Sequence, residues 1–339
     1  MRIEHWKLEE DLILEAGGHL TTPTVAYSTY GTLNESGDNV IWVCHALTAN
    51  SRVDDWWNGL YGENNVFDPS KYFIVCANNL GSPYGTVSPK SENPDNGLRY
   101  GLDFPLYTLK DTAILHLKLA EQLGIKSIRL LIGGSCGGNI SQEMAILNTI
   151  PIQQMVIMCC SAKETPWVIS IHESQRIALN GDSNFQENSD DAGKEGLRGA
   201  RAFALPFYRS HPSFGIRQSE ETNDKLEDFK AASYVRYQGD KFVNRYDAHC
   251  YYKQLNALDT HNVGRGFESI EKALSSIEIE TLVIGFSSDL LIPVAEQQYL
   301  AEHIPNAKYH EVETSFGHDA FLIEVQQLQE SILDFIYNS

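Results

Sequence analysis

The chain is poor in cations, has no paired cysteines and lacks any long apolar run, and each absence removes a class of protein. Lys and Arg total 26 against 45 Asp and Glu in 339 residues, a formal net charge of −19. A nucleic-acid binder must gather cations against a polyanion, and this composition does the reverse. The same deficit argues against docking on an anionic membrane. No stretch approaches the roughly 18 consecutive apolar residues of a spanning helix. The opening residues, MRIEHWKLEEDL, hold no apolar segment of a secretory signal, so a cytoplasmic protein is expected. None of the six cysteines stands in a C-x-x-C pair, so neither a disulfide framework nor a thiolate zinc site is expected. What is present, 42% hydrophobic and 21% charged residues, suits a folded globular chain.

Short, β-rich apolar runs recur between turn residues: Asn39–His45, Tyr72–Ala77, Ile128–Gly134, Met155–Cys160, Thr281–Phe286 and Lys308–Glu313. The first five are nearly continuous in apolar residues, which predicts parallel strands buried on both faces. Helical patterns separate them. Thr108 to Leu123 opens with a Thr-x-x-Asp cap signal and stops at Gly124, and Ile140, Met144 and Leu147 share one helical face after Gly138. Alternating strand and helix predicts an α/β fold. One gap breaks the rhythm: about 120 residues separate Cys160 from Thr281, against about 30 for a βαβ unit. A largely helical insertion is therefore expected over 163–275, with the core formed by 1–162 and 276–339. From Lys163 to Arg265 the chain has 14 Lys/Arg and 15 Asp/Glu, whereas the remainder has 12 and 30. A near-neutral insertion on an acidic body is a natural entrance for an anionic ligand, though chance composition of a helical insert would look the same. Gly181–Gly196 reads as a polar, mobile loop.

The strongest chemical signal is Ile128–Leu147, IRLLIGGSCGGNISQEMAIL, a strand that turns through glycines directly into a helix. Gly133-Gly134-Ser135-Cys136-Gly137 fits G-x-S-x-G, a nucleophile elbow, where small residues are needed at a strained corner. The helix N-terminus below it favours developing negative charge. A phosphate-binding turn is the alternative, but its Lys-Ser/Thr ending is missing. The same stretch also reads Gly134-x-Cys136-x-Gly138, the cysteine version, and composition does not separate the two. A nucleophilic serine needs a base and a group to orient it. Asp289 in SSDLLIP follows one predicted strand and His318 in TSFGHDAFL follows the next. The order Ser135, Asp289, His318 is that of α/β-hydrolases, and all three fall at strand C-terminal ends, where ligands bind in open α/β sheets. Backbone N–H groups of Cys136 and of Leu47, in WVCHALTAN, are the expected oxyanion donors. His45, in the same loop, is expected to shape it by hydrogen bonding.

With these residues in view, the chain resembles the homoserine O-acetyltransferase family of α/β-hydrolase-fold acyltransferases along nearly its whole length. His45–Thr48 (HALT), Trp56–Leu60 (WWNGL), Tyr72–Cys76 (YFIVC) and Asn79–Gly81 (NLG) are similar in order to the family's N-terminal half. Gly133–Gly138 (GGSCGG) resembles its GGSMGG elbow, which assigns the nucleophile to Ser135 and leaves Cys136 to supply an N–H. Tyr237–Phe242 (YQGDKF), Arg245–Ala248 (RYDA) and Gly317–Leu322 (GHDAFL) also match. The resemblance implies an α/β-hydrolase fold with a helical lid and a ping-pong transfer of acetyl from acetyl-CoA to L-homoserine, feeding methionine synthesis. It implies acetyl-CoA as co-substrate with no other cofactor and no metal, and a homodimer through the lid helices. It further implies Arg201 as the holder of the amino acid carboxylate, with Arg198 and Arg209 as near competitors, and Asp319 as the holder of its ammonium group. Gly81–Pro89 (GSPYGTVSP) and Ser161–Trp167 (SAKETPW) depart from the family pattern where the donor and acceptor pockets are expected. A succinyl donor, a serine acceptor, or an esterase or thioesterase using the same three residues are the alternatives.

Overall fold

The computed structural model describes residues 3–338. Eight strands form one sheet: β1 (Glu4–Lys7), β2 (Thr24–Tyr30), β3 (Val40–Cys44), β4 (Phe73–Ala77), β5 (Ile128–Gly134), β6 (Ile152–Met158), β7 (Glu280–Phe286) and β8 (Ala307–Val312). Their order is β1-β2-β4-β3-β5-β6-β7-β8. β3 to β8 pair in parallel, β2 runs antiparallel to β4, and β1 antiparallel to β2. The sheet is mostly parallel because the central strands are covered on both faces. Along β3 every residue is buried: Val40, Trp42 and Cys44 belong to one apolar layer, Ile41 and Val43 to the other. Burying each such side chain contributes about 1.5–3 kcal/mol.

Helices α1 (Leu109–Gln122) and α2 (Cys136–Leu147) pack in the first of those layers. The Thr108 hydroxyl accepts from the Asp111 N–H and the Asp111 carboxylate accepts from the Thr108 N–H, a reciprocal cap that starts α1 where the sequence signal lies. Between β6 and β7 the chain leaves the sheet as α3 (Pro166–Asn180), α4 (Lys194–Tyr208), α5 (His211–Gln218), α6 (Lys230–Val243) and α7 (Ala248–Asp259). α8 (Val294–His303) and α9 (Val325–Asn338) complete the core, with Leu328, Ile332 and Phe335 of α9 in the second layer. Among the described residues no helix is long and apolar enough to cross a membrane.

Two expectations are corrected, and two strands lie outside those expected. β6 begins at Ile152 and ends at Met158 rather than spanning Met155–Cys160, because Cys159 adopts φ 42° and turns the chain out of the ladder. β1 and β2 carry the mixed sequences EHWK and TVAYSTY, which a search for continuous apolar runs passes over. The polar segment after Gly181 is tied down: Asn184 Oδ1 accepts from the Gly193 N–H, Asp182 Oδ2 from the Gly196 N–H, and Phe185 is buried.

Replacing Thr108 by Ala is expected to destabilise the protein by about 1 kcal/mol through loss of the cap, read as a lower denaturant midpoint with unchanged steady-state catalysis.

Candidate active site

β5 enters the site through a backbone that only particular residues tolerate. Ser135 sits between β5 and α2 at φ 56°, ψ −126°, a sparsely populated positive-φ conformation that costs a non-glycine residue on the order of 1–3 kcal/mol. Its N–H donates to the Met158 carbonyl at 2.9 Å, anchoring the corner to the end of β6. A Cβ on Gly137 would collide with the Cys44 carbonyl, and one on Gly133 with the Gly137 carbonyl. The glycines thus allow α2 to start directly against the end of β3.

The structure brings Ser135, Asp289 and His318 together. His318 Nε2 lies 2.9 Å from Ser135 Oγ, and its Nδ1 lies 2.7 Å from Asp289 Oδ2. The other carboxylate oxygen of Asp289 accepts from the N–H groups of Leu291 and Ile292 at 2.9 and 3.0 Å. Asp289 and His318 are 5% and 3% exposed. Burial pulls the His318 pKa down, but the charge and hydrogen bond of Asp289, with Asp319 and Glu164 nearby, outweigh it and hold the pKa above its ordinary value. The Cys136 thiol is buried and its pKa is pushed far up by that burial, so it is a poor source of thiolate. The imidazole meets Ser135.

β3 and β5 are neighbours whose onward connections run to opposite sides of the sheet, so a crevice opens above their C-terminal ends. Leu47 and Cys136 face it from either side. Among the described residues neither backbone N–H is used in a hydrogen bond within the chain. His45 is buried and held neutral, its pKa lowered to about 4 by burial. Its Nε2 accepts from the Asn79 N–H at 3.0 Å, which puts the proton on Nδ1, and Nδ1 donates to the Ala46 carbonyl at 2.8 Å. The expected loop-shaping part of His45 has this form. The crevice continues into a cavity of about 530 Å³ that includes Ser135, His318, Arg201 and Asp319.

The comparisons with known proteins agree with this geometry. Residues 39–325 match a family described as the alpha/beta hydrolase fold. A homoserine O-acetyltransferase of Cyclobacterium marinum is 43% identical over 335 residues, covering 99% of this chain and 95% of its own length. One of Saccharomyces cerevisiae is 35% identical and covers 96% and 85%. The crystal structure of a homoserine O-acetyltransferase from Bacillus anthracis has a TM-score of 0.91 at 24% identity, over 99% of this chain and 97% of that one. The chain belongs to the homoserine O-acetyltransferase family.

Three arginines compete for the carboxylate role that this acetyltransferase family implies, and their partners separate them. Arg198 is paired with Glu195 and Asp240, and Arg209 with Asp319 at 3.2 Å. Arg201 pairs with no carboxylate among the described residues; its guanidinium lies 5.1 Å from the rings of both Tyr208 and Phe242, and its buried Nε has no hydrogen-bond partner. Asp319 also lines the cavity, and burial raises its pKa against the pull of Arg209 and His318. Its ion pair with Arg209 was not legible from spacing, since it joins the end of α4 to the turn after β8.

Sequence reasoning also missed Glu164, His172, Tyr208 and Arg245, all of which line the cavity. Glu164 is buried, and that burial, against the smaller pull of His318, pushes its pKa up to about 8. His172 is braced by Asp259 at 2.6 Å. The departure at Ser161–Trp167, which contains Glu164, and the motif that opens with Arg245 were the available signals.

His318 can accept a proton only when neutral, so kcat/KM is expected to rise with pH through a pKa above the 6.5 of a free imidazole. Asp289→Asn is expected to lower the rate by about 10⁴-fold. It is also expected to move the residual acid limb to lower pH, because the raising charge is gone; a pH–rate profile of both proteins checks this.

Proposed function

We propose that the protein transfers an acetyl group from acetyl-CoA to the hydroxyl of L-homoserine through an acyl-Ser135 intermediate, the step that supplies O-acetylhomoserine for methionine synthesis. One observation carries the reading: the hydrogen-bonded Ser135–His318–Asp289 set opens onto the same cavity as Arg201, which pairs with no carboxylate among the described residues.

Ser135 Oγ attacks the thioester carbonyl while His318 Nε2 takes its proton. The oxyanion forms between the N–H groups of Leu47 and Cys136. Collapse breaks the C–S bond, and the CoA thiolate leaves with the proton from His318. The homoserine hydroxyl then attacks the acyl-serine carbonyl and gives its proton to the same nitrogen. The second collapse breaks the ester to Ser135, which regains the proton. Arg201 holds the carboxylate of the amino acid through its planar fork, and Asp319 its ammonium group. Acetyl-CoA is the co-substrate; neither a further cofactor nor a metal is required.

Residues 163–275 form a lid over a core of the described residues 3–162 and 276–338, and the lid restrains water from the acyl-enzyme long enough for the amino alcohol to attack. Ile177, Phe203, Ile216, Leu226 and Tyr237 are exposed on this insertion. Apolar side chains on one subdomain support a homodimer formed through the lid helices.

Thiol release from acetyl-CoA is expected to depend on L-homoserine, with L-serine and succinyl-CoA much poorer. Release that ignores every amino acid would instead mark a hydrolase. Ser135→Ala is expected to abolish acyl-enzyme formation, detected by intact-protein mass, while Cys136→Ser keeps most of it. Arg201→Ala is expected to raise the KM for homoserine at least ten-fold and that for acetyl-CoA by less than two-fold; equal effects would remove its assigned role.

A further inference from the structure

The loop that carries Leu47 is gripped from two sides, and one of them is the helical insertion. From the core, the Ala46 carbonyl accepts from His45 Nδ1 at 2.8 Å and from the Ala49 N–H at 3.0 Å. In a trans peptide the carbonyl and the following N–H point in opposite directions, so this anchor turns the Leu47 N–H away from His45. The next two carbonyls are held from the insertion. The Tyr246 hydroxyl lies 3.0 Å from the Leu47 carbonyl and also meets Gln254 Oε1. Gln254 Nε2 reaches the same carbonyl at 3.5 Å. Arg245 Nη1 donates to the Thr48 carbonyl at 2.8 Å and to the Tyr84 hydroxyl at 2.6 Å. Tyr246 has little freedom of its own: it is buried, stacked on Phe242 at 4.8 Å and met edge-on by Tyr84 and Tyr251.

We propose that Tyr246, assisted by Gln254 and Arg245, is a positioning residue for the oxyanion hole. By holding the carbonyls of Leu47 and Thr48, the insertion fixes the two peptide planes that follow Leu47, while the core holds the preceding plane through the Ala46 carbonyl, so the Leu47 N–H stays where the oxyanion develops. This rests on the reading of Ser135 as nucleophile and Leu47 as oxyanion donor. Both acylation and deacylation pass through a tetrahedral oxyanion, so a loosened Leu47 slows the two halves alike. Substrate affinity does not depend on that contact in the ground state, so the loss belongs in kcat.

The test is Tyr246→Phe, which removes one hydroxyl and keeps the ring stack. The expected result is a kcat about 10–100-fold lower, a part of the 10²–10³-fold that a lost oxyanion donor costs. KM for acetyl-CoA and for homoserine stays within about two-fold. Labelling of Ser135 by a p-nitrophenyl phosphonate, whose phosphoryl oxygen occupies the oxyanion site, slows by a similar factor; a packing defect remote from the loop would not produce that match. Unchanged kcat, or a loss confined to the KM of one substrate, overturns the proposal. If Tyr246→Phe does not fold, Gln254→Leu and Arg245→Gln are measured in its place, with the same pattern expected at smaller size. Ser135→Ala is run beside them. A Ser135→Ala protein that still transfers acetyl overturns the underlying reading, whereas an inactive one beside a full-speed Tyr246→Phe overturns the positioning role alone.

Discussion

Gly137 has no space for a side chain because the carbonyl of Cys44 occupies it. That contact presses the first turn of α2 onto the end of β3, and the geometry of the site follows from it. The N–H of Cys136 belongs to the helix so placed, and the N–H of Leu47 to the loop that leaves β3 at the same point. The two line one crevice because two backbones meet without a Cβ between them. Ser135 occupies the strained corner as a consequence, and the hydrogen bond from its N–H to Met158 with the packing of α2 over-determines that conformation.

Around this corner the electrostatics are balanced rather than uniformly acidic. The chain as a whole carries −19, yet the insertion is close to neutral. Within the cavity Arg201 forms no salt bridge with a carboxylate among the described residues, while Arg209 is paired with Asp319. Burial would make His318 a weaker base, and Asp289 beneath it reverses that effect. The same low-dielectric surroundings that penalise lone charges strengthen the hydrogen bonds aimed at the reacting atoms.

The insertion also touches the loops that carry His318 and Leu47 directly. Ser210, which caps α5, bonds the Ser315 carbonyl in the loop before His318, and a Cβ on Gly317 would run into the backbone of Arg209 and Ser210. Tyr246 reaches Leu47 on the opposite side of the cavity. The segment between β6 and β7 therefore contacts both the loop before His318 and the loop after β3.

Much of this was legible in the residues because the chemistry is written locally. An elbow needs its glycines within a few positions of the serine, parallel strands buried on both faces read as apolar runs, and a capping box needs two residues three apart. Thus the α/β alternation, the start of α1 at Thr108 and the Ser135–Asp289–His318 order could be read in advance. β1 and β2 escaped because their composition is mixed, and the turn that ends β6 at Met158 has no residue signature at Cys159. Other features depend on side chains far apart in the chain, such as the ion pair between Arg209 and Asp319. The brace from Tyr246 to Leu47 and the cavity face of Glu164 are of the same kind. Sequence alone determined which residues could do chemistry, since spacing and residue type are local quantities. Only the tertiary structure decided which charges are neutralised and which backbone groups are held in place, since partners distant along the chain become neighbours only when it folds.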